Sequence, residues 1–397
     1  MSDMIRVFHA SHDSSASLCP VTGFGPETAE TVRRFHRSFP EYAPTPLRDL
    51  SCLAEKLGVA EIAVKDESTR FGLNAFKVLG GSYAIGHHIA GMLGIDPALM
   101  TRDLLISEDT RKKLGELTFI TATDGNHGRG VAWTAKQLRQ HCVVYMPAGT
   151  AAERLKNIQL LGADASIPGP GYDDCVRLAA KHARENGWIL TQDTSWPGYE
   201  EIPLRIMQGY TTMALETAEQ LGDTTPTHVF LQAGVGSMAG AVAAFLAARY
   251  GQDRPKIIVV EPHSADCVFR TAKAADGKMH PVTEPMETIM AGLACGEVCP
   301  LAWMLLKEYA DAFITIQDSL AMRGMQVLGT PVGSDPVTVS GESGASGFGL
   351  ALQLLSDPAL RETKEALGIS QNSRILCFST EGATDRENYD RIMKKIQ

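Results

Sequence analysis

Residues 228–251 read HVFLQAGVGSMAGAVAAFLAARYG. An apolar strand candidate runs into Gly234, Val235, Gly236, Ser237, Met238, Ala239 and Gly240, and an alanine-rich helix candidate follows. The mainly apolar segment fits a buried strand, and the small residues fit a tight turn into a helix. Exposed backbone N–H groups at such a turn, together with the positive end of the helix, form a cradle for a phosphate. No Gly-Lys-Ser/Thr follows, so the turn is not a P-loop, nor is it a full G-x-G-x-x-G. A strand-to-helix turn with no ligand fits the same residues.

The same alternation recurs on both sides of this stretch. Strand candidates are EIAVKDE, LTFITAT, HCVVYMP, WILTQD, KIIVVEP, AFITI and RILCFST. Helix candidates between them include AAERLKNIQLLG, YDDCVRLAAKHARENG and SGFGLALQLL. Strands alternating with helices predict βαβ units and a largely parallel sheet covered on both faces. At 397 residues the expectation is two doubly wound α/β domains with a site in the cleft between them. The larger domain is expected over 1–75 and 205–397 and the smaller over 76–204, with residues 91–117 as an insertion.

Composition narrows the partners. A net charge of −9, with 37 basic against 46 acidic residues and no basic run, argues against nucleic acid or an anionic membrane. No apolar stretch approaches the roughly 18 residues that span a bilayer, and no secretory signal opens the chain. A cytoplasmic location is the expectation. The eight cysteines lack C-x-x-C spacing, so they are read as small buried apolar residues and no metal site is expected.

Three further stretches carry chemistry. In GLNAFKVLGGSYA (72–84), Lys77 is the one charge in an otherwise uncharged run, so either it snorkels to water or its amine is wanted. In TFITATDGNHGRGVAWTA (118–135), a strand leads into a polar turn of Thr123, Asp124, Gly125, Asn126 and His127. Such a turn binds a carboxylate or oxyanion, or else Asp124 or Asn126 caps a helix opening near Gly130. In RILCFSTEGATDREN (374–388), a strand ends on Ser379 and Thr380, where sheets present hydroxyls to ligands or simply turn. His87 and His88 read as helix surface.

In this order, the lysine, the Thr-Asp-Gly-Asn-His turn, the glycine cradle and the Ser-Thr strand end resemble the fold type II family of pyridoxal 5'-phosphate (PLP) enzymes. That family includes the β subunit of tryptophan synthase, threonine dehydratase and cysteine synthase. The resemblance runs from APTPLRDLSCLAEKLGVAEIAVKDES (43–68) to the last strand. It implies that Lys77 is the lysine joined to the cofactor and that Asn126 bonds the cofactor's phenolic oxygen. It implies a phosphate held by the amides of Gly234, Val235, Gly236, Ser237 and Met238, and a ring covered by the strip around Gly292. Ser379 or Thr380 would face the pyridine nitrogen and leave it unprotonated, which favours prompt β-elimination. A homodimer is implied as well.

Asp124 stands where the hydroxy-amino-acid dehydratases of the family carry serine or a small residue. Asp193, in ILTQDTSWPGYEEIP (189–203), is a second candidate carboxylate, or else a turn aspartate. Two carboxylates beside the reacting carbon fit a substrate with two amino groups. The match is fullest with the branch of ammonia-lyases that convert D- and L-2,3-diaminopropionate to pyruvate and two ammonia. Lys77 would then take the α-proton of the L isomer and Asp124 that of the D isomer. Asp193 or Asp124 would hold the β-ammonium, and Thr123, Gly125, Asn126 and His127 would face the substrate. The other activity the resemblance allows is threonine or serine dehydration. An NAD site is disfavoured because the glycine loop comes late and Glu261 ends its strand outside the dinucleotide fingerprint.

Overall fold

A computed structural model of the chain describes residues 4–10, 23–123, 125–169 and 171–394. Among them run eleven strands: β1 (Ile5–His9), β2 (Leu47–Asp49), β3 (Glu61–Asp66), β4 (Thr118–Ala122), β5 (His141–Pro147), β6 (Asp164–Gly169), β7 (Ile189–Leu190), β8 (His228–Gln232), β9 (Lys256–Pro262), β10 (Ala312–Ile316) and β11 (Arg374–Ser379). Contacts divide the chain into two compact units. One comprises Met1–Pro26, Pro44–Thr69 and Met213–Gln397, the other Glu27–Ala43 and Arg70–Thr212.

The first unit holds a seven-stranded sheet in the order β1-β10-β9-β8-β11-β3-β2. Its five inner strands are parallel, and β1 and β2 close the edges antiparallel. Every residue of β8 and β10 is buried, which is why both read as mainly apolar runs. The helix Ser237–Tyr250 that follows β8 is buried from Ser237 through Ala247, and alanine and glycine let it lie close to its neighbours. At Gly240 a Cβ would stand 3.2 Å from the carbonyl oxygen of Ala302.

The second unit holds a parallel four-stranded sheet, β6-β5-β4-β7. The Gly-Gly pair after Lys77 has its explanation here. Gly80 faces the helix Glu201–Gly209, where an added Cβ would lie 2.7 Å from Ile206 Cγ2. Gly81 faces the helix Asn126–Gln137, with Val131 N at 3.4 Å. Gly209 and Gly130 return the contact, since their Cβ atoms would meet Leu79 O at 2.3 Å and Val78 Cα at 2.8 Å. Two helices converge on the first turns of Val78–Leu93, and only glycine admits them.

Three strands escape a reading by apolar runs. β1 and β2 are short edge strands, β2 being Leu-Arg-Asp, and β6 is an edge strand containing Pro168. The strand expected over WILTQD reduces to Ile189–Leu190, because the N–H of Gln192 donates to Tyr199 Oη at 2.7 Å instead of continuing a ladder. His87 and His88 are half-buried rather than on the surface, as their helix is covered on most sides. His87 packs edge-on to Tyr83 and His88 to Phe119. Burial, with Arg205 nearby, lowers the His87 pKa to about 4. The stretch expected as an insertion, 91–117, holds three short helices, capped by Asp96, Thr101 and Ser107. Five of the cysteines are buried, Cys52 and Cys295 only partly, and Cys19 lies outside the described residues.

Candidate active site

In the second unit, Lys77 immediately precedes the helix Val78–Leu93, and its Nζ donates to Asp193 Oδ2 at 2.9 Å. The lysine therefore does not snorkel away from the protein. Its side chain is 19% exposed and that of Asp193 10%. Burial by itself would raise the Asp193 pKa, but the charges of His127 and Lys77 and the Lys77 hydrogen bond outweigh it and hold the acid down at about 2. A carboxylate thus stays ionised beside the amine at every physiological pH.

Asp193 is held in place by residues that its own stretch supplies. Gln192 is fully buried, and its side-chain oxygen accepts from Ala122 N and Thr121 Oγ1. Its Nε2 donates to Ala122 O and Tyr172 Oη. These bonds join the segment after β7 to the end of β4. Tyr199 accepts from Gln192 N and donates to Leu190 O, and its ring stacks on Trp196 at 4.4 Å. His127 bonds Thr191 O through Nε2 at 2.7 Å and sets Nδ1 3.8 Å from Asp193 Oδ2. Gln192 and Tyr199 carry no motif of their own, and only their nearness to Asp193 in sequence could have pointed to them.

The polar turn after β4 is built differently from a side-chain cap. The helix begins at Asn126, earlier than Gly130, and its N-cap is Gly125, which makes no side-chain bond. Thr123 Oγ1 instead accepts from Gly125 N at 3.0 Å and Gly128 N at 3.2 Å. Gly125 has φ +155°, and a Cβ there would lie 3.3 Å from Arg154 Cδ. Asn126 is half-buried and His127 fully buried. Asp124 lies outside the described residues.

The first unit carries the glycine cradle. Gly236 is the N-cap of Ser237–Tyr250, in the left-handed region at φ +95°, and no side chain caps the helix. Val235 O is tied down by Cys299 N at 2.8 Å. A Cβ on Gly234 would come within 2.9 Å of Cys295 Sγ and 3.3 Å of Gly292 O, so the Gly292 strip lies against the cradle. Gly292 N is bonded to Ser343 Oγ. An uncapped helix end approached by a glycine-rich turn fits a phosphate group. Below it, Glu261 turns its carboxylate to the N–H groups of Val268 and Phe269, which leaves it no part in binding a ribose. At the end of β11, Ser379 and Thr380 are both buried.

Residues 39–368 match the model of the family described as pyridoxal-phosphate dependent enzyme. The chain is 47% identical over 373 residues to diaminopropionate ammonia-lyase of Escherichia coli strain K12, covering 93% of this chain and 92% of that enzyme. It is 46% identical over 366 residues to the enzyme of the same name from Salmonella typhimurium, covering 91% of each. The crystal structure of the Escherichia coli enzyme in complex with an aminoacrylate-PLP azomethine reaction intermediate superposes with a TM-score of 0.90 at 44% identity, over 99% of this chain and 97% of that one. With a family match over residues 39–368 and relatives 46–47% identical across more than nine-tenths of its length, this chain belongs to the pyridoxal-phosphate dependent enzyme family.

Proposed function

We propose that this chain is an ammonia-lyase that eliminates both nitrogens of 2,3-diaminopropionate, from the D and the L isomer, giving pyruvate and two ammonia. One observation carries the substrate class: the Asp193 carboxylate, kept ionised, 2.9 Å from the Lys77 amine. A dehydratase acting on a hydroxyl gains nothing from a permanent anion there, whereas a substrate bearing a second ammonium finds its counter-charge. When bound, PLP supplies an electron sink conjugated to the substrate's α-carbon.

The chain's own residues do the rest. The amides from Gly234 to Met238 hold the phosphate. Lys77 would hold the cofactor through its amine, and as a free amine it would take the α-proton of the L isomer. Asp124 takes that proton from the opposite side for the D isomer. Asp193 holds the β-ammonium protonated, so that it leaves as ammonia and not as an amide anion. Gln192 and Tyr199 keep the Asp193 carboxylate at the reacting group. Asn126 meets the phenolic oxygen, and His127 holds its loop on the substrate side. A homodimer in the cytoplasm belongs to the same proposal, supported by the family resemblance, and mass in solution by light scattering tests the dimer.

The experiment is product analysis of the PLP-loaded protein. Each isomer of diaminopropionate is expected to give one pyruvate and two ammonia, with L-threonine turned over at least about a hundredfold more slowly, the discrimination expected when a polar partner goes unmet. Faster ammonia release from threonine than from either isomer would overturn the assignment in favour of a dehydratase.

A further inference from the structure

Two adjacent hydroxyls end β11, and the bonds they already make differ in polarity. Ser379 Oγ donates to Ser340 Oγ at 2.7 Å, so its single hydrogen is committed to the protein. Thr380 Oγ1 is an acceptor, taking a hydrogen from Gln232 Nε2 at 2.9 Å. An oxygen that accepts in this way keeps its own hydrogen for another partner. Thr380 is just beyond the last residue of the strand, at the carboxyl end of a parallel sheet where ligands bind.

Gln232 is built for that task. It is the last residue of β8, two residues before the cradle glycine Gly234, and it is 2% exposed. Besides Thr380, its Nε2 donates to Phe378 O at 2.8 Å, with Gly344 O at 3.3 Å. The two carbonyl oxygens beside this atom fix which end of the amide is nitrogen, and so make Thr380 Oγ1 the acceptor. The opposite end, Oε1, is buried with no hydrogen-bond partner. A leucine or methionine would fill the space without stranding a buried acceptor, so packing does not account for the glutamine. Donation to the end of β11 does.

We propose that Gln232 is a positioning residue that fixes the Thr380 hydroxyl as a hydrogen-bond donor to the cofactor's pyridine nitrogen, while Ser379 serves the loop through Ser340. The inference rests on the PLP reading above and extends it. An unprotonated ring nitrogen is an acceptor only, and a hydroxyl whose oxygen already accepts from an amide must offer it the hydrogen.

The test uses the PLP-loaded full chain and reads its absorption band, its affinity for PLP and its steady-state constants. A wild-type band near the visible edge, abolished by borohydride and absent in Lys77→Ala, establishes the cofactor's attachment. Its absence sinks the PLP reading itself and is thereby told apart from failure of this proposal. With the band present, Thr380→Val is expected to shift it and weaken PLP binding about three- to tenfold, the worth of one hydrogen bond. The same variant lowers kcat with KM little changed, and Thr380→Ser restores all three readouts. Gln232→Met is expected to reproduce a smaller part of the shift and to add nothing in the Thr380→Val background. The proposal is overturned if Ser379→Ala shifts the band and Thr380→Val does not, or if the effects of Gln232→Met and Thr380→Val add. The Thr380 and Ser379 variants decide the matter even where Gln232→Met fails to fold.

Discussion

At the scale of single residues, the chemistry turns on Lys77 and the two carboxylates. Asp193→Asn keeps the shape but removes the charge that faces the Lys77 amine. Its kcat/KM for both isomers of diaminopropionate is expected to fall by roughly 10²–10⁴, the worth of a positioned acid or base. Beside the free Lys77 amine the Asp193 pKa is about 2, and a substrate ammonium in that place keeps it depressed, so kcat between pH 5 and 8 is expected to show no limb from this group. A descending acid limb above pH 5 that vanishes in Asp193→Asn would contradict this. Asp124 is tested by chirality: Asp124→Asn is expected to lose activity toward the D isomer while keeping most of it toward the L isomer. Equal loss on both would remove the two-base assignment. Lys77 and Asp124 were visible in the sequence as charges in an apolar or glycine-rich setting, and Asp193 as a carboxylate at the end of a strand candidate. Gln192, Tyr199 and Gln232 were not, because an amide or a phenol says nothing until its partners are known.

At the scale of elements, glycine decides how closely helices and turns approach. Gly209 lies where a Cβ would stand 2.3 Å from Leu79 O and 2.7 Å from Gly80 Cα, both backbone atoms that cannot swing aside. Gly209→Ala is therefore expected to force apart the helices Val78–Leu93 and Glu201–Gly209 and to cost about 1–3 kcal/mol in urea unfolding. Gly234 meets the Cys295 thiol and Gly292 O instead, at the phosphate cradle. Gly234→Ala is expected to weaken PLP affinity, measured by the absorbance titration, with a much smaller change in unfolding. The glycine turn after β8 and the Gly-Gly pair after Lys77 both stood out as runs of residues. Which element each glycine serves depends on neighbours that lie far from it along the chain.

At the scale of the whole molecule, buried charge makes stability depend on pH. Burial pushes the Glu261 carboxyl well above its usual 4.5, more than the N–H groups of Val268 and Phe269 pull it down. A native pKa raised above the unfolded one means that the folded protein binds the extra proton. The resulting stability is complete below pH 4.5 and is lost as pH rises through the native pKa, at up to about 1.4 kcal/mol per pH unit. Glu261→Gln does not titrate. Its stability relative to wild type is expected to improve as pH rises above 4.5 toward the raised native pKa, whatever constant offset the altered cap brings. A difference between the two proteins that stays flat across that range would show that Glu261 is ionised in the folded state.

What the sequence determined by itself was the class of fold and the chemistry. Buried parallel strands must be apolar on both faces, so β8, β9, β10 and β11 announce themselves as runs. Covalent catalysis by an amine requires a lysine, and close approach to a phosphate requires small residues. Tertiary structure alone decided the rest: that Asp193 meets Lys77 across 116 positions of chain, and that Gln232 gives its amide to Thr380 across 148. It also decided that Thr123, not Asn126, satisfies the amides of the turn after β4. A hydrogen bond is specified by distance and angle between particular atoms. Residue types along a chain say which atoms are available, but only the folded backbone says which of them lie within 3 Å of one another.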